Sequence, residues 1–287
     1  MAILLTGGKG KTSIRVARIL KDANIPFIMT SRKGDAGSTD TMPVAKFDWL
    51  DESTYENPFQ HSSIEGEKVS AIYIVMPENE DPITPTNAFV DHAVQKHGVK
   101  RFVLFSGTTA EKGGPVVGKI WEHLDQIGVE YCVLRATWLM ENFAEWQYPT
   151  TIKDEGKIYT ACGDGKISFI GAEDIAAVAV HALTSAKVPG ETVRVLGPEL
   201  LTYDEAAAKF SKALGREIVH VRLNQEQAVQ QYMKIGLPQA AAGFMAWLEL
   251  NTAGGSEAMT NDVVEQLTGR PPKNLDTYIQ ENKNTWL

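Results

Sequence analysis

Short apolar segments alternate with amphipathic stretches over the first half of the chain. Strands are predicted for six such segments, at residues 2–6, 26–30, 44–47, 69–76, 100–106 and 129–135. Helices are predicted at about 11–23, 84–97 and 117–127, the first because its apolar residues recur at the spacing of one helical face. Apolar strands separated by helices pair in parallel and are covered on both faces. The pattern therefore predicts the α/β class, with a doubly wound, Rossmann-type, mostly parallel sheet.

The pattern changes at about residue 199, where strand segments give way to mostly helical stretches. Thr202 is placed to cap a helix whose first turn carries Asp204 and Glu205. We therefore predict a Rossmann domain over 1–198 and a small helical substrate or lid region over 199–287. Within the first domain, the segment at about 136–170 is expected to line the substrate pocket.

Composition and charge narrow the class of protein. The chain has 287 residues, of which 43% are hydrophobic and 22% charged, as in an ordinary globular protein. A net charge of −8 without a dense basic stretch disfavours a nucleic-acid partner. No apolar run approaches the roughly 20 residues that span a bilayer. Cys132 and Cys162 form no metal-ligand spacing. We expect a cytoplasmic protein with no membrane partner and no metal.

A glycine-rich turn, Thr6-Gly7-Gly8-Lys9-Gly10-Lys11-Thr12-Ser13, joins the first strand to the first helix. Gly7 and Gly10 allow the backbone to approach a pyrophosphate, which would meet the helix amides near Lys11 and Thr12. The alternative is a purely structural turn. An NTPase phosphate loop is excluded, because Leu5 occupies the position of its first glycine.

The end of the second strand indicates which nicotinamide cofactor is bound. An acidic residue there binds the ribose 2′-hydroxyl of NAD, whereas this chain has Ser31 and Arg32. A hydroxyl and a guanidinium suit a 2′-phosphate, so NADPH is predicted; a solvated basic turn is the alternative. Asp48 is a candidate partner of the adenine amino group or a cap for a helix near residues 51–52. Pro77 is a candidate for lining the cofactor cleft, or it only ends the fourth strand.

Candidate catalytic residues follow the fifth strand. Ser106 is expected near the nicotinamide, and Lys119 is a candidate for binding its ribose or a solvated helix lysine. In short-chain dehydrogenases a tyrosine four residues before such a lysine protonates the alkoxide, but position 115 is proline, and none of the eight tyrosines has a lysine four residues later. An iminium needs hydride but no proton, so its reduction fits this absence. Asn142 is the third catalytic candidate.

Aromatic residues cluster after the sixth strand. They are Trp138, Phe143, Trp146 and Tyr148, with Phe169 further along the chain. Ring faces attract cations, so these side chains are candidates for seating a cationic substrate. The alternative is that they fill a core.

The chain resembles the NmrA-like, atypical branch of the short-chain dehydrogenases, and more narrowly the fungal ergot-alkaloid festuclavine and agroclavine dehydrogenases. The resemblance covers nearly the whole chain, and its narrowest motifs are Phe-Asp-Trp-Leu at 47–50, Trp-Leu-Met-Glu-Asn-Phe at 138–143 and Leu-Gly-Pro-Glu-Leu-Leu at 196–201. It implies NADPH-dependent reduction of a tetracyclic iminium, formed from chanoclavine-I aldehyde, to festuclavine or agroclavine.

The chain departs from the family pattern in two places. It has Ser106-Gly107-Thr108 where those reductases tend to have Ser-Ala-Ser, and Arg135-Ala136-Thr137-Trp138 where they have Arg-Pro-Thr-Trp. Two other functions stay open: a non-catalytic NADP(H) sensor of the NmrA type, and an NADPH quinone reductase.

Overall fold

The computed structural model describes residues 1–34 and 42–287. The strands in this part of the chain are β1 (Ala2–Leu5), β2 (Phe27–Ser31), β3 (Val44–Lys46), β4 (Val69–Ile74), β5 (Arg101–Gly107), β6 (Glu130–Ala136), β7 (Lys157–Thr160), β8 (Thr192–Val195) and β9 (Val219–Arg222). The α-helices are α1 (Lys11–Asp22), α2 (Ile83–His97), α3 (Val117–Gln126), α4 (Asn142–Glu145), α5 (Ala172–Thr184), α6 (Tyr203–Leu214), α7 (Gln225–Lys234), α8 (Gln239–Ala253), α9 (Val263–Thr268) and α10 (Leu275–Glu281). In the described ranges, no helix combines the length and the apolar character needed to cross a membrane.

The chain folds into two compact units. Unit 1 comprises Met1–Ala136 and Ile175–Arg194, and unit 2 comprises Thr137–Asp174 and Val195–Leu287. The boundary predicted at residue 198 lies close to Val195. Most of the segment at about 136–170, expected from the sequence to line the substrate pocket, is part of unit 2.

A seven-stranded sheet has the order β3-β2-β1-β4-β5-β6-β8, and this confirms the predicted fold class. Each neighbouring pair of strands in this order, from β3 across to β6, is parallel. The strand order reverses between β1 and β4, which is where open α/β sheets bind ligands. The sheet contributes apolar side chains to a core cluster, in which Leu4, Ile72 and Phe102 are fully buried.

Unit 2 has a separate core, which includes Phe143, Tyr203 and Trp286. Thr202 caps α6 through a reciprocal capping box with Glu205, as the sequence predicted. The region after residue 199 is mostly helical but also contains β9, a strand that was not predicted and that pairs in parallel with β7. A four-residue strand with both ends exposed has too weak a pattern to be recognised before its partner is known.

Candidate functional site

The carboxyl ends of β1 to β5, with the turns that follow them, form one edge of the sheet in unit 1, called here the carboxyl edge. The predicted cofactor residues at or just beyond these strand ends are Gly7, Gly10, Lys11, Thr12, Ser31, Arg32, Asp48, Pro77 and Ser106. The fold therefore brings together residues that are far apart in the sequence. This is the edge at which parallel α/β sheets bind nucleotides.

The turn after β1 requires its glycines. Gly7 has a positive φ of 83°, and a Cβ on it would lie 2.8 Å from Val75 Cβ. A Cβ on Gly10 would lie 2.9 Å from the Gly7 carbonyl oxygen, to which the Gly10 amide donates. At the start of α1, Gly10 provides no side-chain cap, and the first turn carries no acidic residue. Backbone amides at this helix end are thus suited to an anion.

Two hydroxyl groups fasten this turn to the sheet. Thr6 Oγ1 donates to the Tyr73 carbonyl oxygen at 3.1 Å and accepts from the Val75 amide at 2.8 Å. Ser13 Oγ donates to the Thr6 carbonyl oxygen at 2.7 Å. These bonds hold β1, β4 and α1 together where the strand order reverses. This role of Thr6 is not visible in the sequence, because its partners are 67–69 positions away.

The turn after β2 presents the predicted phosphate-binding residues. Ser31 ends the strand, and its hydroxyl donates to the Gly34 carbonyl oxygen at 3.1 Å. Arg32 is exposed, so its guanidinium is accessible to a ligand.

Of the two roles considered for Asp48, adenine binding and helix capping, the structure tests the second. The short 3₁₀ helix Glu52–Thr54 is capped by Asp51, which accepts from the Ser53 amide, and not by Asp48. Asp48 Oδ1 instead accepts from the Leu50 amide at 3.0 Å. The capping role considered for Asp48 was therefore wrong, since the residue next to the helix takes it. Its proposed adenine contact stays a prediction.

Ser106 and Lys119 differ in their surroundings. Ser106, near the end of β5, is 6% exposed, and its hydroxyl lies 3.4 Å from the Gly107 carbonyl oxygen. Lys119 lies in the first turn of α3, where its half-exposed Nζ is 2.9 Å from Glu122 Oε2. This ion pair matches the alternative of a surface helix lysine. The proposed role of Lys119 in binding the nicotinamide ribose stays a prediction.

Arg135, near the end of β6, organises the loop between β5 and α3, and the sequence analysis missed it. Its buried guanidinium donates to the Thr108 carbonyl oxygen and to Glu111 Oε1 at 2.8 Å. Val116, at the end of this loop, has a φ of 52°, which is strained for a β-branched residue. Such strain tends to cluster at functional sites. A charged residue within the apolar run of β6 was the signal that could have identified Arg135.

The aromatic candidates divide into two groups within unit 2. Phe143, Tyr148 and Phe169 are at most 2% exposed and belong to its core, which is the core-filling alternative. Trp138 and Trp146 are only partly buried. Trp138 Nε1 donates to Thr252 Oγ1 at 3.1 Å, and the Trp146 ring centroid is 6.0 Å from that of Tyr232.

Asn142 begins α4 and is 8% exposed. Its carbonyl oxygen accepts from the amides of Gln147 and Tyr148 at 3.1 and 3.2 Å. The residue therefore has a structural role in the turn that follows α4. Its proposed catalytic role stays a prediction.

Tyrosine phenols are mostly engaged within the protein. Seven of the eight tyrosines are buried, and the eighth, Tyr159, donates from its hydroxyl to Glu155 Oε2 at 2.6 Å. Burial raises the pKa of Tyr148 and of Tyr203 well above the usual value. Ionising these phenols is correspondingly unfavourable.

The chain is similar to known proteins over nearly its whole length. The profile of the NmrA-like family matches residues 2–279. Agroclavine dehydrogenase of Claviceps fusiformis is 44% identical, over 100% of this chain and 99% of its own length. Festuclavine synthase II of Penicillium roqueforti is 38% identical over the whole of both chains. Among solved structures, the triphenylmethane reductase of Citrobacter sp. complexed with NADP(H) has a TM-score of 0.79 at 20% identity, covering 98% of this chain and 99% of its own.

Proposed function

Because the chain belongs to the NmrA-like family, we propose that it is an NADPH-dependent reductase that transfers hydride to the C=N⁺ group of a clavine-alkaloid intermediate. The substrate would be the tetracyclic iminium formed from chanoclavine-I aldehyde, and the product festuclavine or agroclavine. Relatives named for these two alkaloids match the chain over its full length. The observation that carries the proposal is the carboxyl edge of unit 1, where an uncapped helix N-terminus accompanies a basic strand end.

The predicted cofactor residues would bind NADPH through their charges and by allowing the backbone to approach its phosphates closely. Gly7, Gly10 and Thr12 would hold the pyrophosphate at the start of α1, with Lys11 adding positive charge. Ser31 and Arg32 would bind the 2′-phosphate, a dianion that an acidic residue would repel. Asp48 and Pro77 would border the adenine and the cleft. Bound in this way, NADPH would supply the hydride.

The absence of a tyrosine four residues before Lys119 supports reduction of an iminium over reduction of a carbonyl. Reduction of a carbonyl requires a positioned acid for the alkoxide, and Pro115 occupies the usual tyrosine position. An iminium becomes a neutral amine on accepting hydride, so no proton is needed in that step. In unit 1, Ser106 and Lys119 would then bind and orient the nicotinamide, and Asn142 of unit 2 stays a separate candidate.

The partly exposed indoles of unit 2 suit a cationic polycyclic substrate. We assign its recognition to Trp138 and Trp146, because aromatic faces attract cations and bury large ring systems. Phe143, Tyr148 and Phe169 would support them from the core of this unit. A cation held by ring faces keeps its electrophilic carbon available, whereas a close carboxylate would stabilise the unreduced charge.

Turnover of the iminium precursor tests the proposal. Purified protein supplied with NADPH and the precursor should consume NADPH, with the reduced alkaloid identified by mass. NADPH binding without turnover of any substrate would instead support the sensor function. Turnover of quinones alone would support the quinone reductase.

Arg32→Ala tests the cofactor assignment within the same assay. Loss of one hydrogen bond to a charged group costs about 1.5–3 kcal/mol, so the affinity for NADPH should fall about 10- to 150-fold while that for NADH changes little. Lys68→Ala is the matched control, since it removes an exposed positive charge just before β4, at the opposite edge of the sheet. Equal loss in both variants would contradict the assignment.

A further inference from the structure

Three metal-ligating side chains meet on unit 1 away from the carboxyl edge. Glu56 Oε2 lies 3.2 Å from His92 Nε2 and 3.1 Å from His97 Nε2. The three ligand atoms all lie within 4.8 Å of one another. Both histidines are on α2, and Glu56 precedes the short helix Asn57–Phe59.

Neighbouring side chains hold this cluster in position. Gln60 Nε2 donates to Glu56 Oε1 at 3.1 Å, which leaves Oε2 turned towards the two imidazoles. Phe59 stacks on His97 with ring centroids 3.7 Å apart and planes within 1°. Tyr55 packs edge-on against His92 at 5.8 Å. Partners of this kind orient ligands in protein metal sites.

One nitrogen of the cluster, His92 Nε2, faces the Glu56 carboxylate from a buried position. His92 Nε2 is buried, and Glu56 Oε2 lies 3.2 Å from it without the alignment of a hydrogen bond. An imidazole nitrogen that faces a carboxylate oxygen in this way is placed to share a cation with it.

We propose that Glu56, His92 and His97 bind a divalent transition-metal cation of the Zn²⁺ type, with water completing the coordination. Two imidazoles and one carboxylate are a donor set that Zn²⁺ accepts. Two ligand atoms each about 2.1 Å from a tetrahedral ion lie about 3.4 Å apart, close to the Glu56–His92 and Glu56–His97 separations. The two nitrogens lie within 4.8 Å of each other and would have to approach this separation when the ion binds.

The position of the site indicates a structural role. α2 runs towards the start of β5, so its C-terminal residue His97 lies near the amino edge of the sheet, opposite the carboxyl edge. An ion there would tie the segment around Glu56 to the end of α2. A cavity of about 470 Å³, lined in part by Glu52, Glu56 and His92, gives access from solvent. Binding would therefore stabilise unit 1 without taking part in hydride transfer.

Calorimetric titration of the full-length protein with ZnCl₂ alone tests the site. We expect saturable binding of one Zn²⁺ per chain, and at least about a tenfold loss of affinity in His92→Gln and in His97→Gln. Zn²⁺ should also raise the melting temperature of the wild type, because it binds the folded state. His123→Gln is the matched control: His123 also pairs with a carboxylate, Asp91, at 2.8 Å, but has no second histidine in that pair.

Circular dichroism identifies any variant that fails to fold. Glu56→Gln provides a further test, since Glu56 is partly exposed and its loss removes a ligand without opening the core. The proposal is overturned if the wild type shows no saturable binding of Zn²⁺. It is also overturned if the folded ligand variants bind as tightly as the His123→Gln control.

Discussion

The two units bury different kinds of polar side chain. Among the described residues of unit 1, the buried polar side chains are hydroxyls and one guanidinium, those of Thr6, Thr12, Ser13, Thr30, Thr54, Thr86, Ser106, Thr108 and Arg135. Unit 2 buries four carboxyl side chains as well, those of Glu141, Asp174, Glu249 and Glu257, each at most 4% exposed. Burying a carboxyl group costs free energy unless the group is hydrogen-bonded, so the contacts of these four side chains matter for the stability of unit 2.

The buried carboxyl groups join segments that are distant in the sequence. Glu257 accepts from Thr137 across 120 positions, and Glu249 accepts from the Ala161 amide across 88. Asp174 accepts from Arg270 across 96 positions. Unit 1 is thus specified mainly by apolar strands in register, whereas unit 2 depends on a few long-range polar contacts.

The electrostatics of the two units differ in sign. In unit 2, burial raises the pKa of Glu249 to about 7 and also raises that of Asp174. In unit 1, the hydrogen bond from Arg101 lowers the pKa of Glu130. Protonation of Glu130 therefore weakens its ion pair with Arg101 in unit 1, whereas ionisation of Glu249 places an unfavourable charge in the interior of unit 2.

Glu249→Leu should have the largest effect. It removes the acceptor of the Ala161 amide at 2.7 Å and of the Tyr232 hydroxyl at 2.8 Å, and leaves both groups buried. Each unsatisfied group costs about 1–3 kcal/mol, so we expect a loss of about 3–5 kcal/mol in the free energy of unfolding. Urea denaturation measures it.

Hydrogen exchange shows where that loss acts. Peptides from unit 2 should exchange faster in Glu249→Leu than peptides from unit 1. A loss below about 1 kcal/mol would contradict the proposed dependence of unit 2 on buried carboxyl contacts.

This difference explains how much of the fold the sequence predicts. β1 to β6 were located to within one or two residues, because continuous apolar runs mark strands buried on both faces. The arrangement of unit 2 was not predicted, because β7 and β9 have only four residues each. In addition, nothing in the sequence distinguishes the buried Glu249 from a glutamate on the surface. The pattern of a helix does not reveal a partner 88 residues away.

The pH dependence of stability should show the next largest effect. Glu249 stays protonated when folded up to about pH 7, whereas the unfolded chain releases this proton above about pH 4.5. The stability contributed by the neutral carboxyl group is therefore full below about pH 4.5 and is lost as the pH rises to about 7. The shift corresponds to about 3 kcal/mol.

Comparison with Glu249→Gln isolates this contribution. The lowered pKa values of His92 and His220 act in the opposite direction, because their stabilisation is lost as the pH falls. The variant lacks only the Glu249 titration, so its stability relative to the wild type should rise by about 3 kcal/mol between pH 4.5 and 8. A constant difference across that range, measured by urea denaturation, would show that Glu249 is not responsible.

The candidate site was predictable for similar reasons. Residues of the glycine turn and the basic end of β2 could be named because each follows a recognisable strand. Thr6 and Arg135 could not, since their roles depend on contacts made across strands or with a loop. The sequence does not indicate the cluster of Glu56, His92 and His97, because Glu56 and His92 are 36 positions apart and the region between them carries no metal-binding spacing.

Thr6→Val in unit 1 should have the smallest effect of the three. Valine has the shape of threonine, so the core keeps its packing, but the Val75 amide loses its acceptor at 2.8 Å and the Tyr73 carbonyl loses a donor. Loss of neutral hydrogen bonds costs about 1–2 kcal/mol. No titrating group is removed, so this loss should be the same at pH 5 and pH 8, unlike that of the Glu249 variants.

Thr30→Val is the control, because the Thr30 hydroxyl makes one longer bond, 3.3 Å to the Leu5 carbonyl. If Thr6→Val cost as much as Glu249→Leu, unit 1 would depend on its buried polar contacts as strongly as unit 2, and the distinction between the two units would fail.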